Sequence, residues 1–257
     1  MELLPKDQGA AVRGLYEGFP GLHGAIDSVL EGVMGELFVD DRLKPRVARA
    51  VIGDFHAIAG DQESSSATAA LRAVPDGEYI AVHESWHELV RQTLQAAQTY
   101  DRFAFSAPAK WDRERLASFR ESLPPEYMLH RIDAGMVADF RTLNETFVDN
   151  FASLDDFLRL GVGFGITKDG EFVAGCSSYT ISSRCLEFEI ETRRDYQRRG
   201  LALVTGSRMI EHCLDNGLEP CWDAAHEGSA LLAEALGFVK RLPYTAYRLG
   251  TPETPES

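Results

Sequence analysis

From Cys185 to Thr192 the chain alternates without a break: Leu186, Phe188 and Ile190 are apolar, and Glu187, Glu189 and Glu191 are acidic. A period of two predicts a half-buried strand, with one side on a core and the glutamates on the other. Arg193-Arg194-Asp195-Tyr196-Gln197-Arg198-Arg199-Gly200 follows directly. Then Leu203, Ile210 and Leu214, with Ser207 as a weak member, mark one face of a helix predicted over 200–214, which Asp215-Asn216-Gly217 stops. A strand that passes through a cationic, glycine-ended turn into a helix admits few folds.

The turn is conspicuous because the rest is acidic. Lys and Arg number 26 against 40 Asp and Glu, a formal net charge of -14, yet 193–199 holds four arginines and one aspartate. That balance argues against nucleic acid, whose affinity rests on phosphate neutralisation, and against anionic membrane surfaces. No apolar run reaches 18 residues, so no transmembrane helix is expected. The Met1–Asp7 stretch lacks the basic start and apolar core of a signal peptide, and cytoplasmic location is the expectation. Cys176, Cys185, Cys213 and Cys221 show no two-residue spacing and read as reduced thiols.

Strand and helix patterns alternate along the whole chain, which predicts an α/β or α+β fold. In the first half, helices are expected near 8–18, 23–31, 86–100 and 113–121. Strands are expected at 36–39, 50–59, 78–82 and 102–106. Ser122-Leu123-Pro124-Pro125 is the expected boundary, giving regions 1–124 and 125–250, and the proline- and glutamate-containing stretch 251–257 is expected to fray. In the second half, strands are expected at 127–132, 163–167, 171–179, 185–192 and 220–224, with helices at 138–149 and 229–236. Two final strands, 238–241 and 244–249, are expected to pair. Lys168-Asp169-Gly170 reads as a hairpin turn.

His83-Glu84-Ser85-Trp86-His87 spells a zinc-peptidase motif. Ser85 and Glu88 have capping-box spacing, so Ser85 is the expected N-cap. His83 would then precede the helix that carries His87, and no metal is expected. Chemistry is expected instead at the cationic turn. The first N–H groups of a helix have no partner within it, carry partial positive charge and suit phosphate oxygens. Gly200 lets the backbone approach closely, since it has no Cβ, and flanking arginines add charge-assisted hydrogen bonds.

Gln197-Arg198-Arg199-Gly200-Leu201-Ala202 resembles the Gln/Arg-x-x-Gly-x-Gly/Ala signature of the GCN5-related N-acetyltransferases, the GNAT superfamily. The stretch Trp222–Phe238, with Leu236-Gly237-Phe238 at its end, resembles the family's next strand-helix block. Phe19-Pro20, Asp27–Gly32, Gly53-Asp54-Phe55, Ala59-Gly60-Asp61 and Ser85-Trp86 are similar to the subgroup that includes zwittermicin-A-resistance acetyltransferases.

The resemblance implies a GNAT fold, a mixed and mostly antiparallel sheet flanked by helices, with an additional N-terminal α/β region. It implies acetyl-CoA as co-substrate, gripped by Gln197, Arg198, Arg199, Gly200, Leu201 and Ala202. Ile190 and Thr192 would present strand backbone beside the thioester, and His226 and Ser229 would lie near the pantetheine arm. Glu189 is the expected general base and Glu187 the next choice, while Glu191 lies nearest the arginines. Each of these glutamates also fits a solvated sheet face. The family's usual thiolate-protonating tyrosine aligns with Ala233, which leaves Tyr244, Tyr247 or Ser229 as substitutes. His226 could equally be an N-cap.

The implied activity is acetyl transfer to a primary amine of a small molecule. A non-catalytic acyl-CoA-binding module, or a domain that merely keeps the fold, is the alternative. The first half would shape the acceptor site, mediate a homodimer, or be a degenerate copy of the same fold.

Overall fold

The computed structural model describes residues 1–250; the expected frayed segment 251–257 lies outside the described residues. The chain forms two compact units. One is Met1–Ala104 with the stretch that begins at Leu242, and the other is Phe105–Arg241.

The first unit contains β1 (Glu2–Leu3), a 3-10 segment (Lys6–Tyr16), α1 (His23–Leu30), β2 (Glu36–Val39), β3 (Val47–Ile52), β4 (Phe55–Gly60), α2 (Ala67–Arg72), β5 (Tyr79–Val82), a 3-10 turn (Glu84–Trp86), α3 (His87–Thr93) and most of β6 (Gln98–Ser106). The second contains α4 (Arg113–Glu121), β7 (Tyr127–Arg131), α5 (Val137–Leu143), a 3-10 turn (Glu145–Phe147), α6 (Leu154–Leu160), β8 (Gly163–Lys168), β9 (Glu171–Ile181), β10 (Cys185–Thr192), a 3-10 turn (Arg194–Tyr196), α7 (Leu201–Asp215), β11 (Glu219–Cys221), β12 (Asp223–Ala224) and α8 (Glu227–Leu236). β13 (Val239–Arg248) starts in the second unit and ends in the first.

The two units repeat one plan. Each runs strand, helical segments (two in the first unit, three in the second), three antiparallel strands, helix, a strand parallel to the last of the three, and helix. In the first unit the strand order is β1-β2-β3-β4-β5-β13-β6, and in the second β7-β8-β9-β10-β11. The fold is therefore mixed α/β, with mostly antiparallel sheets flanked by helices. In the first unit Val47, Ile58, Ile80 and Val82 pack with Leu71, Trp86, Val90 and Tyr247. In the second, Phe164, Cys176 and Leu186 pack with Met209 and Cys213 of α7, each full burial of a side chain such as Leu186 contributing about 1.5–3 kcal/mol.

The helix 113–121 and the strands 36–39 and 185–192 form where expected. Other elements differ, for physical reasons. The stretch 50–59 is not one strand but the β3–β4 hairpin, turned at Gly53 with φ +55°. The helix expected over 86–100 stops at Thr93: the helix formers Leu94-Gln95-Ala96-Ala97 do not extend it, and Gln98–Ser106 is recruited as β6. Ser85 lies inside the 3-10 turn and does not cap α3. The helix expected over 138–149 breaks at Asn144, whose extended backbone ends α5. The final strands are one strand, not a pair. Leu242-Pro243 has no residue in the left-handed region that a two-residue hairpin needs, and Lys240 at φ +54° bends β13 without ending it.

The division between units falls inside β6 rather than at Pro124-Pro125. α4 belongs with α7, to which Arg120 and Arg113 bind through Glu211 (2.9 Å) and Asp215 (2.8 Å). The prolines end a helix without ending a unit. Among the described residues no helix is long and apolar enough to cross a membrane.

Candidate active site

β10 supplies the first wall. Leu186, Phe188 and Ile190 pack on the α7 side, as their alternation demands. Glu189 and Glu191 pair across the antiparallel ladder with Ser177 and Gly175 of β9. The β9–β10 register shifts between Glu187 and Phe188, a bulge. Glu187 is 4% exposed, whereas Glu189 is half-buried. The parallel pairing of β10 with β11 covers only Cys185–Glu187 against Glu219–Cys221. Beyond it, the edge of β10 that carries Phe188 to Thr192 has no ladder with β11, and an extended chain could pair there.

The cationic turn is built for backbone display. Arg194–Tyr196 form a 3-10 turn, Gln197 is extended, and Arg198 and Gly200 are left-handed at φ +60° and +81°. Gly200 is the N-cap of the 15-residue α7. A Cβ added to Gly200 would meet nothing within 4 Å, so glycine is required by conformation rather than by crowding. Leu201 is 2% exposed and anchors the helix start on Tyr127, Ile166 and Val173. Its side chain is committed to the core, and its amide belongs to the unpaired first turn.

The arginines divide the work. Arg193 binds Glu171 (2.9 Å) and Asp195 (3.2 Å), which raise its pKa, and lies over Tyr196. Arg199 donates to the Asp195 carbonyl (2.8 Å) and the Tyr127 hydroxyl (3.4 Å), holding the loop in shape. Arg194, Arg198 and Gln197 are exposed, and Gln197 donates to the Thr192 carbonyl (3.2 Å). Glu191 turns back to accept the Thr192 amide at 2.9 Å.

α8 supplies the second wall. His226 caps it: Nδ1 accepts the Ser229 amide at 3.2 Å, which requires an unprotonated Nδ1. The indole of Trp222, 4% exposed among Phe188 and Phe238, donates to Ser229 Oγ at 3.1 Å. Ala233 is fully buried. Tyr244 belongs to the first unit, is 8% exposed and accepts from Arg102 Nε at 3.1 Å. The Tyr247 hydroxyl lies 2.5 Å from His87 Nδ1 in that same unit. His83 precedes the 3-10 turn and packs edge-on to Phe19. The four cysteines are free thiols, with Cys176 and Cys221 pushed well up, Cys176 mainly by burial and Cys221 by a hydrogen bond with Cys185 and by burial, and Cys213 raised to about 12 by burial.

Two participants lacked a sequence signal. Asn144 donates from Nδ2 to Glu189 Oε1 at 3.4 Å. Ser177 Oγ donates to the Phe147 carbonyl at 2.6 Å, tying the 3-10 turn to the residue opposite Glu189. Asn144-Glu145-Thr146 carries the mark of an Asx turn, but nothing in the order of residues links it to β10.

The GNAT acetyltransferase family model matches residues 19–247. The chain therefore belongs to the GNAT acetyltransferase family and is an acyltransferase. It is 28% identical over 171 residues to an uncharacterized N-acetyltransferase, YdfB, of Bacillus subtilis (strain 168); the match covers 65% of this chain and 64% of that protein's length. It resembles the crystal structure of a GCN5-related N-acetyltransferase-like protein from Streptococcus suis 89/1591, with TM-score 0.86, 30% identity and coverage of 95% and 99% of the two chains. A tandem GNAT protein from the clavulanic acid biosynthesis pathway has the same fold, with TM-score 0.62, 10% identity and coverage of 98% and 99%.

Proposed function

We propose that the second unit binds acetyl-CoA and transfers its acetyl group directly to the primary amine of a small molecule. The observation that carries this reading is the conjunction on β10: a half-buried carboxylate, Glu189, on the strand whose end opens into a left-handed, arginine-bearing helix N-terminus.

In this reading the amides of Gly200, Leu201 and Ala202, with Arg198, Arg199 and Gln197, hold the pyrophosphate. The open edge of β10, at Ile190 and Thr192, receives the pantetheine arm; the Ile190 N–H is directed at the thioester carbonyl, and the Thr192 N–H joins it once Glu191, which accepts it here, lets go. His226 and Ser229 lie along the arm. Glu189 takes a proton from the ammonium form of the acceptor. The amine lone pair forms the new C–N bond, the C–S bond breaks with its electrons on sulfur, the nitrogen loses its second proton and the sulfur gains one, so that the net proton released is the one Glu189 took. Glu187 is less suited as base because it is buried beside the bulge.

Of the residues considered for the sulfur's proton, Ser229 is the one that lies in the second unit, whereas Tyr244 and Tyr247 belong to the first. Ser229 is favoured because Trp222 already occupies an acceptor site on its oxygen, which leaves its O–H to donate elsewhere. The acidic chain suits a cationic acceptor. The first unit takes no part in this chemistry. It serves as a second copy of the plan that holds no acyl donor.

The test is thiol release from acetyl-CoA with a panel of small primary amines, beside a CoA titration. Amine-dependent release supports the proposal. CoA binding without release for any amine makes the chain an acyl-CoA-binding module, and no binding removes the reading altogether.

A further inference from the structure

The 3-10 turn Glu145–Phe147 is seated on the sheet by several contacts. Phe147 is fully buried and stacks on Phe140 at 4.5 Å. Both rings lie over Gly175, where a Cβ would come within 2.6 and 2.7 Å of them. Ser177 holds the Phe147 carbonyl, and Ser177 is the direct cross-strand partner of Glu189. The turn thus cannot shift without disturbing the sheet at the glutamate.

Asn144 caps this turn. Its Oδ1 accepts from Thr146 N at 2.9 Å and from Thr146 Oγ1 at 2.7 Å. A backbone N–H can only donate, so Oδ1 must face Thr146 and the amide nitrogen must face away. That nitrogen points to Glu189 Oε1. We propose that Asn144 is the positioning residue for Glu189, holding one carboxylate oxygen and so fixing the orientation in which the carboxylate meets the acceptor's ammonium group.

This rests on the transferase reading of β10, and it names a residue that reading does not contain. The chemistry favours an amide here. A cation would hold the carboxylate equally well but would depress its basicity, whereas a neutral donor orients it at smaller cost in proton affinity. The other titratable groups around Glu189 are Glu187 and Glu191 on its own strand, the Cys176 thiol on β9, and Glu145 next to Asn144 in the chain.

The experiment uses the full chain with N144D and N144S. N144D keeps an oxygen for Thr146 and so keeps the cap, but sets a carboxylate against Glu189. N144S keeps a weaker cap and cannot reach the carboxylate. The acid limb of the pH profile of kcat/KM is expected to move up by about one unit in N144D, which is about a tenfold loss on that limb and little change on the plateau above it, and by less in N144S. KM for acetyl-CoA is expected to stay unchanged in both. The Glu189 carboxyl, followed by 13C NMR titration, should show the same upward displacement. A Glu189 titration in N144D that superimposes on wild type overturns the proposal. If the wild type acetylates no amine, the transferase reading fails separately, and the NMR titration still decides whether Asn144 governs Glu189.

Discussion

The two units follow one plan and diverge at one junction, where the third antiparallel strand leads into a helix. In the first unit, β4 pairs with β3 over six residues without a register shift and with β5 from Phe55 to Ile58. The strand ends at Gly60, φ +107°, where a Cβ would come within 2.0 Å of the Arg46 carbonyl. The indole of Trp86 donates to the Gly60 carbonyl at 3.1 Å. The turn beyond is acidic: Asp61 binds Arg46 and accepts the Glu63 amide, and α2 is six residues long. In the second unit a bulge at Glu187–Phe188 breaks the register, pairing with β11 stops there, the turn carries four arginines, and α7 has 15 residues. A shared topology supplies the junction. In the proposed acyl-CoA reading, the bulge, the turn's charge and the length of the helix are what set the second junction apart from the first.

The sharpest test of that contrast is Glu189→Gln. β4 carries no carboxylate, so if β10 alone does the chemistry, kcat should fall by roughly 10²–10⁴-fold with CoA affinity retained. Activity surviving in Glu189→Gln would move the chemistry elsewhere. Calorimetry with CoA comes next. One molecule per chain is expected, and a second site would break the comparison by giving the first unit a working junction. Gly200→Ala forces a Cβ into the left-handed region, at about 1–2 kcal/mol, and should weaken CoA binding up to about tenfold.

The smallest expected effect separates the units by pH. His56, His83 and His87 in the first unit, and His212 in the second, all have pKa values lowered below 6.5, burial being the largest cause in each. A lowered folded-state value means the unfolded chain takes up protons first, so stability is steady above about pH 6.5 and falls as the pH drops below it. Amide exchange, corrected for intrinsic rates, should show β3–β5 losing more protection than β8–β10 between pH 7.5 and 5.5. Equal losses would mean that the greater number of buried histidines in the first unit does not govern its stability.

Much of the second unit was legible in the order of residues. The alternation from Cys185 to Thr192 gave a strand of those bounds, and Gly200 marked the start of α7, because both signals are local and agree with what the tertiary fold demands. The first unit was harder to read. The β3–β4 hairpin turns on Gly53-Asp54 between two apolar stretches that read as one, and the helix formers at 94–97 did not carry the helix into Gln98–Ser106, which pairs in a sheet. The tie from Asn144 to Glu189 spans 45 residues and has no local mark.

The sequence by itself determined the local chemistry: an acidic chain, one cationic turn, a strand with glutamates on one side, and a glycine at the start of the helix that follows. These depend on residue type and on periods of two or 3.6, which neighbouring residues carry. Tertiary structure alone decided that the plan occurs twice, that β13 begins in one unit and ends in the other, and that one junction is opened by a bulge while the other is sealed by an indole. Those outcomes come from pairing between distant strands, where the register is settled by packing across the sheet rather than by any residue's own preference.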